Sequence, residues 1–309
     1  MRSLKGLGLL IITNLLVFLT LVISGNILVH FVLPAFGIDV RNSFNSYQLV
    51  WAMVFGFGGA FISLFMSKTL AKSGMRMQQV TQPSTPKEQL VYGTVQELAR
   101  HEGIKMPEVW VYWDDTPNAF ATGPSRNNSM VAVSSGLAMN LTDDELRAVL
   151  AHEVGHIANG DMVATTLLQG LMNTFVYFLA SVIARIVASA GSRNGETNTL
   201  LYFIVDIVLQ VMLSVLAQIV VCWFSRRREF RADAYAARAL GAEPMIRALQ
   251  KIDALAHQTA AQQAEVPAEQ DALATMKIYA AHGRIMGMFA THPSIEARVA
   301  ALRNLNRLQ

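Results

Sequence analysis

Ala151-His-Glu-Val-Gly-His156 places two imidazoles four residues apart, with a carboxylate directly after the first. On a helix, positions i and i+4 share one face, so His152 and His156 can reach a single ion. Two neutral ring nitrogens suit zinc, which in a catalytic site takes three protein ligands and leaves one position for water. The ion would lower the pKa of that water to about 7, and Glu153 is placed to take its proton. The chemistry served would be hydrolysis of a peptide bond by attack of that water on its carbonyl carbon. Taken alone, the same five residues also describe a solvated polar helix face.

A third ligand decides between these readings. A metzincin would carry Gly three residues and His or Asp six residues after the second histidine; Asn159 and Met162 stand there instead. Asp161 comes one residue too early and reads as a helix-end or membrane-interface acid. The best remaining candidate is Glu229, followed by Asp233 at i+4. One carboxylate could ligate while the other accepts a hydrogen bond from a ligand imidazole and sets its tautomer. The bland alternative is a surface helix in which both acids pair with Arg226, Arg228 and Arg231.

The elements that must position these groups follow from composition. The chain has 309 residues, 52% hydrophobic and 15% charged, which is membrane-protein composition. The net charge of +3 comes from basic residues beside apolar segments, with no stripe of interleaved aromatics, so nucleic acid is excluded as a partner. Four segments suit spanning helices, about 7–29, 47–66, 162–184 and 200–224, in two hairpins. The first follows Arg2 and Lys5 without a small-x-small cleavage site and reads as a retained anchor. Arg2, Lys5, Lys68, Lys72, Arg76 and Arg226 to Arg228 flank one side, against Arg41, Arg185 and Arg193 on the other; this bias puts both termini in the cytoplasm. Arg185 and Asp206, near the far face of the third and fourth spans, read either as a buried ion pair or as two charges that snorkel separately to the interface. Cys222, the single cysteine, reads as a small apolar filler.

The rest forms two cytoplasmic pieces, 67–161 and 225–309. In the first, a helix is expected from Pro86 to about His101, then short strands over Glu108–Trp113, Asn118–Thr122 and Met130–Ser134, making a small antiparallel sheet. Thr142-Asp-Asp-Glu145 is a capping box that starts a helix running through His156. The second piece is mainly helical, with a Gln- and Ala-rich loop or linker over 257–271. The third span begins directly after the H-E-x-x-H helix and the fourth ends just before Glu229. The hairpin therefore returns Glu229 to the surface where His152 and His156 lie, which favours it as a ligand.

Four motifs carry a resemblance to a known family: Asn118-Ala-Phe-Ala-Thr-Gly123, Leu150-Ala-His-Glu-Val-Gly-His-Ile-Ala-Asn-Gly-Asp161, Arg228-Glu-Phe-Arg-Ala-Asp-Ala234 and Thr291-His-Pro-Ser294. Over nearly its whole length the chain resembles the gluzincin metallopeptidases of bacterial inner membranes, related to the CAAX prenyl endopeptidases and Oma-type proteases. The resemblance implies one zinc ion per chain on His152, His156 and Glu229, with Glu153 as base and Asp233 behind a ligand. It also implies quality control, cleaving damaged or misassembled membrane proteins at the cytoplasmic face under envelope stress. The fold expected is an α+β zincin-like domain, mainly helical with its small antiparallel sheet, on a four-helix transmembrane anchor.

Softer candidates surround this centre. Asn118, Ala119 and Phe120 suit an edge strand that pairs with an extended peptide, or an ordinary core strand. His292 reads either as a donor to the tetrahedral oxyanion or as a turn residue braced by Arg298. His30, His101, His257 and His282 have no partner pattern. The partners implied are unfolded or membrane-protein substrates and the lipid bilayer. A non-catalytic membrane scaffold that binds unfolded segments is the rival from another class.

Overall fold

The computed structural model describes residues 46–190, 197–263 and 290–306, together with Phe31. The span expected at 7–29 and most of the stretch 257–271 lie outside the described residues; 257–263 is helix, not loop, as befits a run of Ala and Gln without Gly or Pro. Eight helices and four strands are described. They run α1 (Ser46–Gly74), β1 (Met77–Gln79), α2 (Pro86–His101), β2 (Glu108–Tyr112), β3 (Ala119–Ser125) and β4 (Asn128–Ser134), then α3 (Ser135–Asn140), α4 (Asp143–Asn159), α5 (Asp161–Ser189), α6 (Thr199–Leu240), α7 (Ala242–Gln263) and α8 (Ile295–Asn306). The described residues fall into two compact units, those within 1–63 and 164–221 and those within 64–163 and 222–309.

The first unit holds the apolar parts of α1, α5 and α6. These helices are long and apolar enough to cross a membrane, over Trp51–Gly74, Asp161–Ser189 and Thr199–Leu240. Gly56 of α1 lies against α5: an added Cβ would stand 2.6 Å from the Thr174 backbone nitrogen. Phe57 in turn fills the space over Gly170. Small residues at both positions let the backbones approach, the usual packing device between membrane helices. Asp206 does not pair with Arg185 among the described residues. Its Oδ2 accepts from Gln210 Nε2 one turn along the same helix, at 2.7 Å, a partner that needs no second helix.

The second unit is built on the sheet, in the order β1-β2-β4-β3. It is mixed, not antiparallel as expected, because β2 pairs parallel with β4. After Tyr112 the chain skips the place beside β2, runs along the edge as β3 and turns back as β4 between them. Six of the seven β4 residues are buried, so this strand needs neighbours on both sides. The short β1, which sequence patterning did not show, pairs antiparallel with β2.

Helices α2, α4, α7 and α8 pack into one core around Val91, Val95, Leu146, Leu150, Met245 and Leu302. The expected capping box holds: Glu145 N donates to Thr142 Oγ1 and the Glu145 carboxylate accepts from Thr142 N. Helix α4 ends at Gly160, which caps it at φ 72°, a left-handed conformation that glycine adopts at no steric cost. No break separates the fourth apolar segment from Glu229. With neither Gly nor Pro from Thr199 to Leu240, α6 runs on for 42 residues until Gly241 stops it at φ 88°.

Candidate metal centre

Helix α4 contributes His152, Glu153 and His156; α6 contributes Glu229 and Asp233. Close packing brings the two helices together at Gly155, where a Cβ would stand 3.0 Å from the Tyr235 ring. The Gly of the motif thus makes room for α6.

The two imidazoles meet edge to face at 87°, with their Nε2 atoms 3.2 Å apart. His152 Nδ1 donates to Asp233 Oδ1 at 2.9 Å, and His156 Nδ1 donates to Asp161 Oδ2 at 2.7 Å. These carboxylates assign the tautomers, so both Nε2 lone pairs face inward. Glu229 stands opposite, its Oε1 3.3 Å from His156 Nε2 and its Oε2 3.5 Å from His152 Nε2. Ligand atoms of the three residues lie within 4.8 Å of one another. Three acceptors converging in a buried place repel one another unless a cation joins them, so the donor set fits a metal ion. Glu229 Oε2 agrees with this. His292 Nδ1 approaches it to 2.9 Å, but without hydrogen-bond alignment, and the buried oxygen keeps no hydrogen-bond partner.

The charges are arranged around this point. Burial alone would lower both imidazoles, but the carboxylates of Asp233 and Glu229 raise His152, and those of Asp161 and Glu229 raise His156 to about 10. Burial opposes ionisation of Glu229 as well, yet the imidazoles of His152, His156 and His292 around it hold its carboxyl well below the usual range. Asp233 is held at about 2, against the cost of its burial, by the Arg298 guanidinium and His152. Glu153 differs: burial dominates and raises its carboxyl, against the pull of the two imidazoles. A carboxylate with raised proton affinity suits a general base.

Two participants exceed what the sequence suggested. Asp161, expected as a helix-end acid, is 1% exposed and orients His156 as Asp233 orients His152. Arg228 Nη1 donates to its backbone carbonyl at 3.1 Å and Arg231 Nη2 lies 3.5 Å from Oδ1, so these arginines serve Asp161 more than the acids of their own helix. Arg298, expected to brace His292, is 5% exposed and grips Asp233 with Nε at 2.8 Å and Nη2 at 2.6 Å; its Nη1 reaches Glu229 Oε2 at 3.5 Å. The available signal was an arginine flanked by Ala297 and Val299 in an amphipathic helix.

Beside α4, β3 is an edge strand, its outer backbone paired with no strand among the described residues. Asn118 anchors its start, donating N–H to Ser134 Oγ and accepting from Ser134 N, each at 2.9 Å. Ala119 and Phe120 pair with Val133 and Ala132 of β4. His292 is half-exposed beside Glu229. His101 and His257 pair at the surface with Glu102 and Asp253, while His30 and His282 lie outside the described residues.

A helix with two metal-facing imidazoles, each backed by a carboxylate, and a glutamate delivered from a second helix together define a metallopeptidase centre. Residues 86–306 match peptidase family M48, and the chain belongs to that family. It is 43% identical over 306 residues to Protease HtpX of Aeromonas hydrophila, covering 97% of this chain and 99% of that one. Protease HtpX of Pasteurella multocida is 42% identical, covering 95% and 98%. Among solved structures, Ste24p of S. mikatae superposes with a TM-score of 0.58 at 21% identity, covering 95% of this chain and 66% of that one, a likeness of fold. The protein is a membrane metallopeptidase.

Proposed function

We propose that this protein is a zinc-dependent endopeptidase that cleaves misfolded or damaged membrane proteins at the cytoplasmic face of the bacterial inner membrane. Both of its termini would lie on that side. The observation that carries the reading is the convergence of His152 Nε2, His156 Nε2 and Glu229 beside the buried Glu153. Two imidazoles and a carboxylate are the ligand set of catalytic zinc, one ion per chain. Zinc bound there would polarise the substrate carbonyl and bring the pKa of water to about 7.

The chain's own residues supply the remaining steps. An extended substrate pairs with the open edge of β3 through the backbone of Asn118, Ala119 and Phe120. Glu153 takes the proton of the attacking water and returns it to the leaving amine. His292 offers a donor to the developing oxyanion. Asp233 and Asp161 hold the two imidazoles, and Arg298 neutralises the carboxylates behind them. Membrane spans on the same chain suit membrane proteins as substrates, in quality control under envelope stress.

The test is cleavage of casein by detergent-purified protein, wild type against Glu153→Gln, with zinc and with chelator. Zinc-dependent cleavage that the substitution abolishes at unchanged metal content is expected. Equal zinc binding with no cleavage by either protein would move the non-catalytic scaffold ahead.

A further inference from the structure

The apolar helices α5 and α6 carry polar side chains at i, i+4 and i+8: Gln169, Asn173 and Tyr177 on one, Asp206, Gln210 and Ser214 on the other. Between them lies a cleft of about 250 Å³, lined by Asn173, Tyr177, Gln210 and Ser214 with Val176 and Val211. Asn173 and Gln210 stand near the middle of their apolar stretches, where polar groups are costly and mark function.

Their hydrogen bonds do not close. Ser214 Oγ donates to the Val211 carbonyl of its own helix at 2.8 Å and is satisfied. The amides behave differently. Gln169 Nε2 donates to Asn173 Oδ1 at 2.9 Å, and Gln210 Nε2 to Asp206 Oδ2 at 2.7 Å. That leaves both N–H groups of Asn173 and the carbonyl oxygen of Gln210 without a partner among the described residues. Asp206 Oδ1 is also without a hydrogen bond, and is buried. Acyl chains offer nothing to these groups. Only an occupant that brings its own polar side chain into the hydrocarbon can use them.

We propose that this cleft holds a transmembrane helix of the substrate and selects helices with a polar side chain at mid-membrane. Such a side chain is covered in an assembled membrane protein and bare in a damaged or unassembled one. The cleft therefore reads loss of assembly. Along the chain, the two helices that form it are also those that begin at Asp161 and carry Glu229. This inference rests on the endopeptidase reading above.

The experiment uses the full chain in proteoliposomes and two single-span substrates with one cytoplasmic tail, their spans being Leu and Ala throughout or carrying one central Asn. Wild type is expected to show a roughly tenfold lower KM for the Asn span, the size of one to two hydrogen bonds between membrane helices. The double variant Asn173→Leu, Gln210→Leu is expected to lose this preference and keep its casein cleavage, which reports a folded enzyme. Equal cleavage of both spans by wild type, or a preference that survives in the variant, would overturn the proposal. A photo-cross-linker at Val211 in the Glu153→Gln background reads occupancy without turnover. Capture of the Asn span over the Leu span supports the proposal, whereas capture of residues 7–29 of the same chain, or of a second copy, overturns it. Failure of wild type to cleave casein would instead count against the peptidase reading, and the cross-link would still decide what the cleft holds.

Discussion

Each metal-facing imidazole is held by a carboxylate whose own position is held by arginine. Removing the acid should therefore weaken the metal without unfolding the protein. Asp161→Asn is expected to reduce zinc affinity about 10- to 100-fold, read by competition with a chromogenic chelator, with the circular dichroism spectrum unchanged. Arg298 has a heavier structural duty, since it neutralises Asp233 and lies against Glu229, both nearly inaccessible. Arg298→Met leaves those charges uncompensated and should cost about 3–5 kcal/mol, seen as a lowered midpoint in thermal unfolding. If Arg298→Met unfolded like wild type, the grip on Asp233 would carry no stability.

At the scale of elements, local rules set helix ends and backbone proximity sets helix packing. Thr142→Ala removes the side-chain acceptor for Glu145 N at the start of α4 and should destabilise by about 1 kcal/mol in chemical denaturation. Gly56→Val should cost more, because the clash is with the Thr174 backbone and no rotamer change relieves it. Overpacking of this kind costs about 1–3 kcal/mol, to be measured as heat stability in detergent. The capping box at Thr142 and three of the four strands were legible in the sequence, as they depend on residues within a few positions of one another. The place of β4 was not. Its parallel pairing with β2 spans a connection that contains β3, and alternation along a strand says nothing about which neighbour it takes.

For the molecule as a whole, pH and metal are the accessible controls. Burial pushes the carboxyl of Glu108 in β2 up, but Lys68 and Lys72 of α1 together outweigh it and hold the group at about 2. Its unfolded value is about 4.3, so the stability it contributes is fully present above that pH and lost as pH falls towards 2. Discounted for the 31% exposure of the side chain, the contribution is about 1 kcal/mol. Glu108→Gln should accordingly flatten the fall in unfolding midpoint between pH 5 and 3. Metal linkage acts in the same way on the native state: saturating zinc at about 100 times its dissociation constant should add about 2.7 kcal/mol, reversed by chelator. Tyrosine or tryptophan fluorescence during heating would show both effects.

Composition and apolar run length determined a membrane protein, because bilayer thickness converts directly into residue count. The i, i+4 spacing of His152 and His156, and of Glu229 and Asp233, determined which groups share a helix face, because helical period is a local property. The tertiary structure alone decided that Asp161 turns back on His156 past the left-handed Gly160, and that Arg298 reaches Asp233 from α8. Contacts of that kind depend on how helices far apart in sequence pack, and no local periodicity encodes the side chain that meets a buried charge from the other side.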